Sequence, residues 1–279
     1  MRLSPATTQR IAVGFMWILA AITFAVLAFI LAFVLVHGLP HVTWGFLSRS
    51  PTSMGRAGGI FPVLFGTLLV AGLAVLVAAP IGVATAVYLT EYTRNGRLTA
   101  VIRFGADCLA GVPSIIFGLF GFVFFAIALG MGLSILSGAL TLALMVLPTI
   151  IRTSEEAIRT VPDSYREVSL GLGGSRWQTV FYVVLRSALP GISTGIVLSL
   201  GRSISETAAV MLTAGSALRL PRSLFDSSRT LALHFYLLSR EGISMQNAYA
   251  TASVLIIAIL ALNLLAYTLM RRFGVKTGR

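Results

Sequence analysis

The sequence predicts an all-α integral membrane protein with six transmembrane helices. Of its 279 residues, 57% are hydrophobic and 11% are charged, less than half of the roughly 25% charge found in soluble domains. Disorder is excluded on the same ground, because it needs few apolar residues and many charges. The charges also fall in short breaks between uncharged runs, and each run reaches the ~20 residues that cross a bilayer.

In chain order the runs are residues 11–36, 60–89, 108–151, 188–212 and 248–270. The first exceeds the roughly 7–15 residues of a signal peptide's apolar region, and no A-x-A site follows it, so it is expected to stay as a helix. The third is long enough for two helices, with Gly130, Gly132 and Ser134 as the turn between them. Pro113 and Ser114 are expected to bend its first half, the hydroxyl serving backbone groups that the proline frees. The fourth run listed, the fifth span, carries two charges, Arg202 and Glu206. Segments 152–187 and 213–247 are too long for plain connectors and are functional candidates. In the second, Leu231, Phe235 and Leu238 share one face of a short helix, either a packed cover or a docking surface.

A net charge of +12 could suit nucleic acid in a soluble protein. Here the basic residues mark the cytoplasmic side instead. With the N-terminus inside, inner segments hold fourteen Lys and Arg, among them Arg2, Arg94, Lys276 and Arg279, against six in outer loops. Both termini are therefore expected in the cytoplasm, with membrane lipid and no nucleic acid as partner. The single Cys108 excludes an intrachain disulfide and a CxxC site. His37, His41 and His234 lack ligand spacing, so no metal is expected. The only lysine, Lys276, follows Val275 where a phosphate loop needs Gly. No hydrolase motif appears either, so the chain is expected to be no enzyme and to draw its energy from a partner.

The most specific signal lies in residues 161–178. Ser164 with Glu167, and Ser175 with Gln178, fit capping boxes that satisfy free amides at helix starts. Gly171, Gly173 and Gly174 supply a left-handed residue between them. The segment is thus expected to be a helix–turn–helix at the cytoplasmic surface, with Trp177, Phe181 and Tyr182 leading back to the bilayer. By itself Glu167 is either a cap or a contact for a partner.

This spacing resembles the EAA loop of bacterial ABC importer permeases. Glu167, Val168 and Ser169 stand at E-A-A, Gly173 at the Gly, and Val183, Val184, Leu185 and Arg186 at I-x-L-P. The two alanines and the proline are departures. The resemblance implies the ABC type I importer (MetI-like) permease fold. It further implies a loop that docks in a groove of an ATPase, with Gly173 making the turn, Glu167 meeting a basic residue there and Arg166 beside it. Residues 110–120 and 201–207 are similar to permeases of phosphate-specific ABC importers, and residues 152–155 and 225–231 resemble their A-type (PstA) family. The resemblance spans roughly residues 58–270, a permease domain flanked by the first helix with its tail (1–36) and a basic tail (271–279). It implies inorganic phosphate as substrate, with phosphonate, tungstate or molybdate as the alternative oxyanions. It also implies a second permease (PstC-like), two ATPase subunits (PstB-like) that bind ATP and Mg, and an extracytoplasmic phosphate-binding protein (PstS-like), with no cofactor in this chain.

Arg202 and Glu206 are four apart, so they are expected to share a helix face near mid-membrane and to pair. Either the pair ties helices together, or Arg202 meets an anion in transit with Glu206 as its resting partner. A guanidinium fork suits phosphate oxygens, and Ser199, Ser203 and Ser205 add hydroxyls nearby. Arg152, after Pro148, is either a positive-inside anchor or, through the resemblance, a second anion contact with Glu155 or Glu156 as counter-charge. Gly191 and Gly195 allow a close helix approach, within this chain or with the second permease. A self-contained secondary transporter or anion channel is the competing class, in which a docking loop has no obvious use.

Overall fold

The computed structural model describes residues 5–93 and 96–274; Arg2, Arg94, Lys276 and Arg279 lie outside the described residues. The apolar runs form α1 (Pro5–Gly38), α3 (Phe61–Val87), α6 (Ile135–Arg159), α9 (Leu185–Ser205) and α12 (Met245–Gly274). Between α1 and α3 lie a short α2 (Trp44–Ser48) and a minimal antiparallel hairpin, β1 (Pro51–Thr52) with β2 (Ala57–Gly58). α4 (Arg97–Ala110) and α5 (Ser114–Gly121) precede α6, and α7 (Asp163–Gly171) and α8 (Arg176–Gln178) precede α9. α10 (Ala208–Thr213) and α11 (Leu231–Arg240) precede α12. π-helical turns extend α3 (Tyr88–Tyr92) and α5 (Phe122–Ala128) and join α8 to α9 (Thr179–Val184).

Among the described residues five of these rods are long and apolar enough to cross a bilayer, and the bent pair Arg97–Ala110 with Ser114–Ala128 makes a sixth when its two arms are counted as one span. The bend falls where Pro113 and Ser114 lead the sequence to expect one: the uncharged run from Cys108 covers the end of α4 and the start of α5, which meet at 102°. Pro113 disfavours helical backbone at Val112, and the polar face of α4 is held by charges on α6, described below. The Ser114 hydroxyl makes no cap for α5, whose N-cap is Pro113. The turn before α6 is as expected, with Gly130 and Gly132 in the left-handed region (φ +68 and +62) and the Ser134 hydroxyl capping α6.

The core is α3 against α6. Val70, Ala74, Ala78, Leu142, Val146 and Ile150 are buried there, and a Cβ on Gly82 would come within 2.7 Å of Ile150. Small residues let helices approach closely where lipid offers no hydrophobic drive between them. α9 runs antiparallel to α6 by the same device, Gly191 facing Ala157 and Gly195 facing Thr153. This glycine pair therefore packs within the chain. α1 touches the bundle mainly along α12, where the Phe33 ring meets Tyr249 edge-on at 5.9 Å and Ser253 donates to the Val34 carbonyl at 3.2 Å. Elsewhere α1 exposes Trp17, Phe24 and Phe29, an apolar surface of the kind that meets lipid or another protein.

The segment after α10 is a packed cover. Leu231 and Leu238 are buried, with Phe235 half-buried. The Leu231 amide donates to Thr67 Oγ1 on α3 at 2.8 Å. His234 is buried against Gly55, with Arg229 Nη1 3.3 Å from its Nδ1. Burial, aided by the Arg229 charge, pushes the imidazole pKa down to about 4. Unfolded chain takes up the proton near pH 6.5 and folded chain only near 4, so acid favours unfolding. Thermal unfolding of detergent-solubilised protein should lose roughly 3 kcal/mol of stability between pH 6.5 and 4, and His234→Gln should flatten that dependence.

Candidate functional site

The helix–turn–helix segment begins later than the run of polar residues suggests. α6 continues through Arg152 and Glu155 to Arg159, breaks at Thr160–Pro162, and only then starts α7. The Ser164–Glu167 capping box does not form, which corrects the sequence reading. Pro162 is the N-cap of α7, so Ser164 already lies in the first turn and Glu167 is too far along to reach back. Glu167 is exposed. The Ser175–Gln178 box does form, with Gln178 N–H donating to Ser175 Oγ at 3.3 Å and Ser175 N–H to Gln178 Oε1 at 2.8 Å. Gly173 has φ +85 and makes the turn, and the Ser169 and Thr179 hydroxyls join the two helices at 2.8 Å. The tip is apolar: Leu172 is 84% exposed, and Val168, Trp177 and Tyr182 are exposed with it.

Arg166 faces inward. Its Nη2 lies 2.6 Å and its Nε 3.1 Å from Glu91 Oε1, while Nη1 donates to the Val161 carbonyl at 2.7 Å. The Glu91 carboxylate holds the guanidinium pKa above its ordinary value. Arg176 donates to the Glu91 carbonyl and lies 5.4 Å over the Tyr92 ring. Both helices of the segment are thus clasped to the end of α3. Sequence reasoning missed Glu91; its signal was a lone acid closing an apolar run, a position that marks candidates by default.

A second cluster lies at the same end, where Arg103, Arg152, Glu155, Glu156 and Arg159 line a cavity of about 180 Å³. Arg152 pairs with Asp107 of α4, not with Glu155 or Glu156. Glu155 instead accepts from Arg103 at 2.7 Å and Arg159 at 2.5 Å. The sequence expectation used only neighbours on α6, whereas α4 folds across and brings its own charges.

Arg202 and Glu206 do not pair. α9 ends at Ser205, and Glu206 leaves the helix with ψ 131. Its carboxylate accepts the Ala209 amide at 3.3 Å, in the first turn of α10, from the position before the N-cap Thr207. A four-residue spacing places side chains together only on unbroken helix. Ser203 and Ser205 donate to carbonyls of their own helix, so neither hydroxyl proton is free for an anion beside Arg202. Arg202 is exposed and makes no ion pair among the described residues. With α9 antiparallel to α6, Arg202 stands roughly 10 Å farther along the bundle than Arg152.

A bundle of long apolar helices, with a helix–turn–helix clasped to one end, defines a polytopic membrane protein. The chain belongs to the family of binding-protein-dependent transport system inner membrane components, which residues 78–278 match. It is a multi-pass membrane transport component, not an enzyme. The probable ABC transporter permease YqgI of Bacillus subtilis is 34% identical over 276 residues, covering 93% of this chain and 94% of that one. The phosphate transport permease PstA 1 of Mycobacterium tuberculosis is 40% identical over 213 residues, 75% of this chain and 69% of that one. PstA of Haemophilus influenzae is 30% identical, covering 92% of both chains. Among solved structures, the inward-facing MetNI methionine ABC transporter matches with TM-score 0.60 at 20% identity, over 77% of this chain and 94% of that one. A bacterial alginate ABC transporter matches with TM-score 0.66 at 14% identity, over 96% and 98%. The fold is the MetI-like type I importer fold.

The paired charges differ in how deeply they sit. Glu155 is 4% exposed, whereas the Asp107 and Arg152 side chains are about half exposed. Glu155→Ala should cost about 2–3 kcal/mol by stranding Arg103, and Asp107→Ala within ~1 kcal/mol. Thermal unfolding of the two variants side by side checks the order.

Proposed function

We propose that this chain is the PstA-like permease subunit of an ATP-driven importer of inorganic phosphate and forms half of the translocation path. The observation that carries phosphate is the exposed, unpaired Arg202 in a chain whose relatives at 30–40% identity include named phosphate permeases. A lone arginine facing lipid would cost about 2.5–3.5 kcal/mol or more. Its stripe on α9 therefore faces water or a second permease. Arg202 is a contact for the passing anion, and Arg152 with Glu155 and Asp107 forms a polar station farther along the same path.

The partners follow from the surfaces. Glu167 and the apolar tip around Gly173 dock a PstB-like ATPase, two copies of which bind ATP and Mg for the assembly. Arg166 serves this docking through the loop's position, since its own guanidinium is occupied. A PstC-like permease completes the path, and a PstS-like protein delivers phosphate outside. Both termini lie in the cytoplasm on the count of basic residues. Co-purification of a tagged chain with an ATPase, a second permease and a binding protein tests the assembly. Uptake competed by phosphate, phosphonate, molybdate and tungstate in turn tests the substrate. Uptake blocked by molybdate and indifferent to phosphate would overturn the phosphate assignment.

Two variants probe the named residues. Arg202→Gln should abolish most phosphate uptake while assembly persists. Exchanging Arg202 and Glu206 should not rescue it, because the two do not pair; Glu206→Gln should cost only about 1 kcal/mol by weakening its hydrogen bond to the first turn of α10. Glu167→Lys should leave thermal stability within ~0.5 kcal/mol, as an exposed residue outside any cap. It should nevertheless lower ATPase retention and uptake together, which pull-down and transport assays read separately.

A further inference from the structure

We propose that Glu91 is the positioning residue that couples the docking segment to the membrane core, so that movement of the segment is delivered to α3 as well as to its own stalks. This rests on the reading that the segment docks an ATPase.

The chain connects the segment to α6 and α9 only. On the α6 side helix is interrupted at Thr160–Pro162, whereas on the α9 side helix runs unbroken from Arg176 to Ser205 through the π-helical stretch Thr179–Val184. The link to α3 is a separate one, lateral and non-covalent. Glu91 meets Arg166 through both carboxylate oxygens (Nε at 3.1 and 3.3 Å, Nη2 at 2.6 Å). The same guanidinium binds the Val161 and Ile158 carbonyls at the end of α6. Arg176 closes the clasp on the Glu91 carbonyl. One arginine therefore joins the end of α3, the end of α6 and the first docking helix at a single point.

Burial makes this a link rather than a passing contact. The Glu91 side chain is 9% exposed and that of Arg166 19%; the other acid on Arg166, Asp163, is 90% exposed. A half-buried, multiply bonded charge pair resists separation far more than an exposed one. Glu91 also sits in the π-helical turn Tyr88–Tyr92, a geometry often found at functional positions in helices. A displaced segment thus pulls α3 at its end, and α3 is the core partner of α6 along most of its length.

A merely structural role predicts something different. If Glu91 only shaped the segment, losing it would weaken ATPase retention. If it couples, the ATPase stays bound and hydrolyses ATP while transport per ATP falls. The test uses the full complex in proteoliposomes with inorganic phosphate as probe, comparing wild type, Glu91→Gln, Glu91→Asp, Arg166→Gln and the double variant Glu91→Gln/Arg166→Gln. Glu91→Gln keeps the shape and one acceptor, which favours folding. The expected result is wild-type ATPase stoichiometry, with ATP consumed per phosphate raised about tenfold, the scale set by losing a charged hydrogen bond. The double variant should be no worse than either single. An unchanged ratio in Glu91→Gln beside a pumping wild type overturns this inference alone, as does loss of the ATPase from both Glu91 variants. A wild-type chain that retains no ATPase overturns the docking reading and this inference with it.

Discussion

Close contact between α3 and α6 is the constraint from which the rest hangs. Val70, Ala74, Ala78, Gly82 and Ala86 recur every four residues along α3 and form a narrow buried ridge. In lipid no hydrophobic force pulls helices together, so backbone proximity has to supply the attraction. The ridge holds the two helices at a fixed distance over most of their length. α5, α9, α10 and α11 then pack on this pair, and the ends of α3 and α6 carry Glu91 and Glu155 as fixed points to which arginines from elsewhere attach.

The charges divide by whether they have a partner. Glu91, Asp107 and Glu155 are each claimed by an arginine from another part of the chain. These pairs lie at the end of the bundle from which the helix–turn–helix segment projects, and they orient α4 and that segment. Glu167 and Arg202 are exposed and unclaimed among the described residues. A charge already satisfied inside the chain builds the scaffold, whereas one left open is available to another molecule. Arg166 shows the distinction sharply, since it neighbours Glu167 in sequence yet faces the opposite way.

Much of the fold was legible because it rests on local chemistry. Gly130 and Gly132 turn the chain where φ must be positive, Gly173 does the same in the helix–turn–helix segment, and Ser175 with Gln178 caps the helix that follows. What failed depended on context the sequence does not display. Pairing of Arg202 with Glu206 presupposed an unbroken helix, and the backbone leaves helix at Glu206. The Ser164–Glu167 box presupposed a helix starting at Ser164, but Pro162 starts it earlier. Asp107 and Glu91 find their partners 45 and 75 residues away, and no local spacing marks such a pair. Their one visible trait was an acidic group at the edge of an apolar run.

The bend before α5 sets α4 at 102° to it with Cys108 exposed on α4. This is the only sulfhydryl in the chain. A maleimide dye or a nitroxide would therefore attach to this subunit at one place, without any residue being replaced beforehand. The label would sit one residue from Asp107, on the helix that the α6 charges hold. Its spectrum would report the polarity and mobility around α4 in the native subunit, in the assembled complex and through successive stages of turnover.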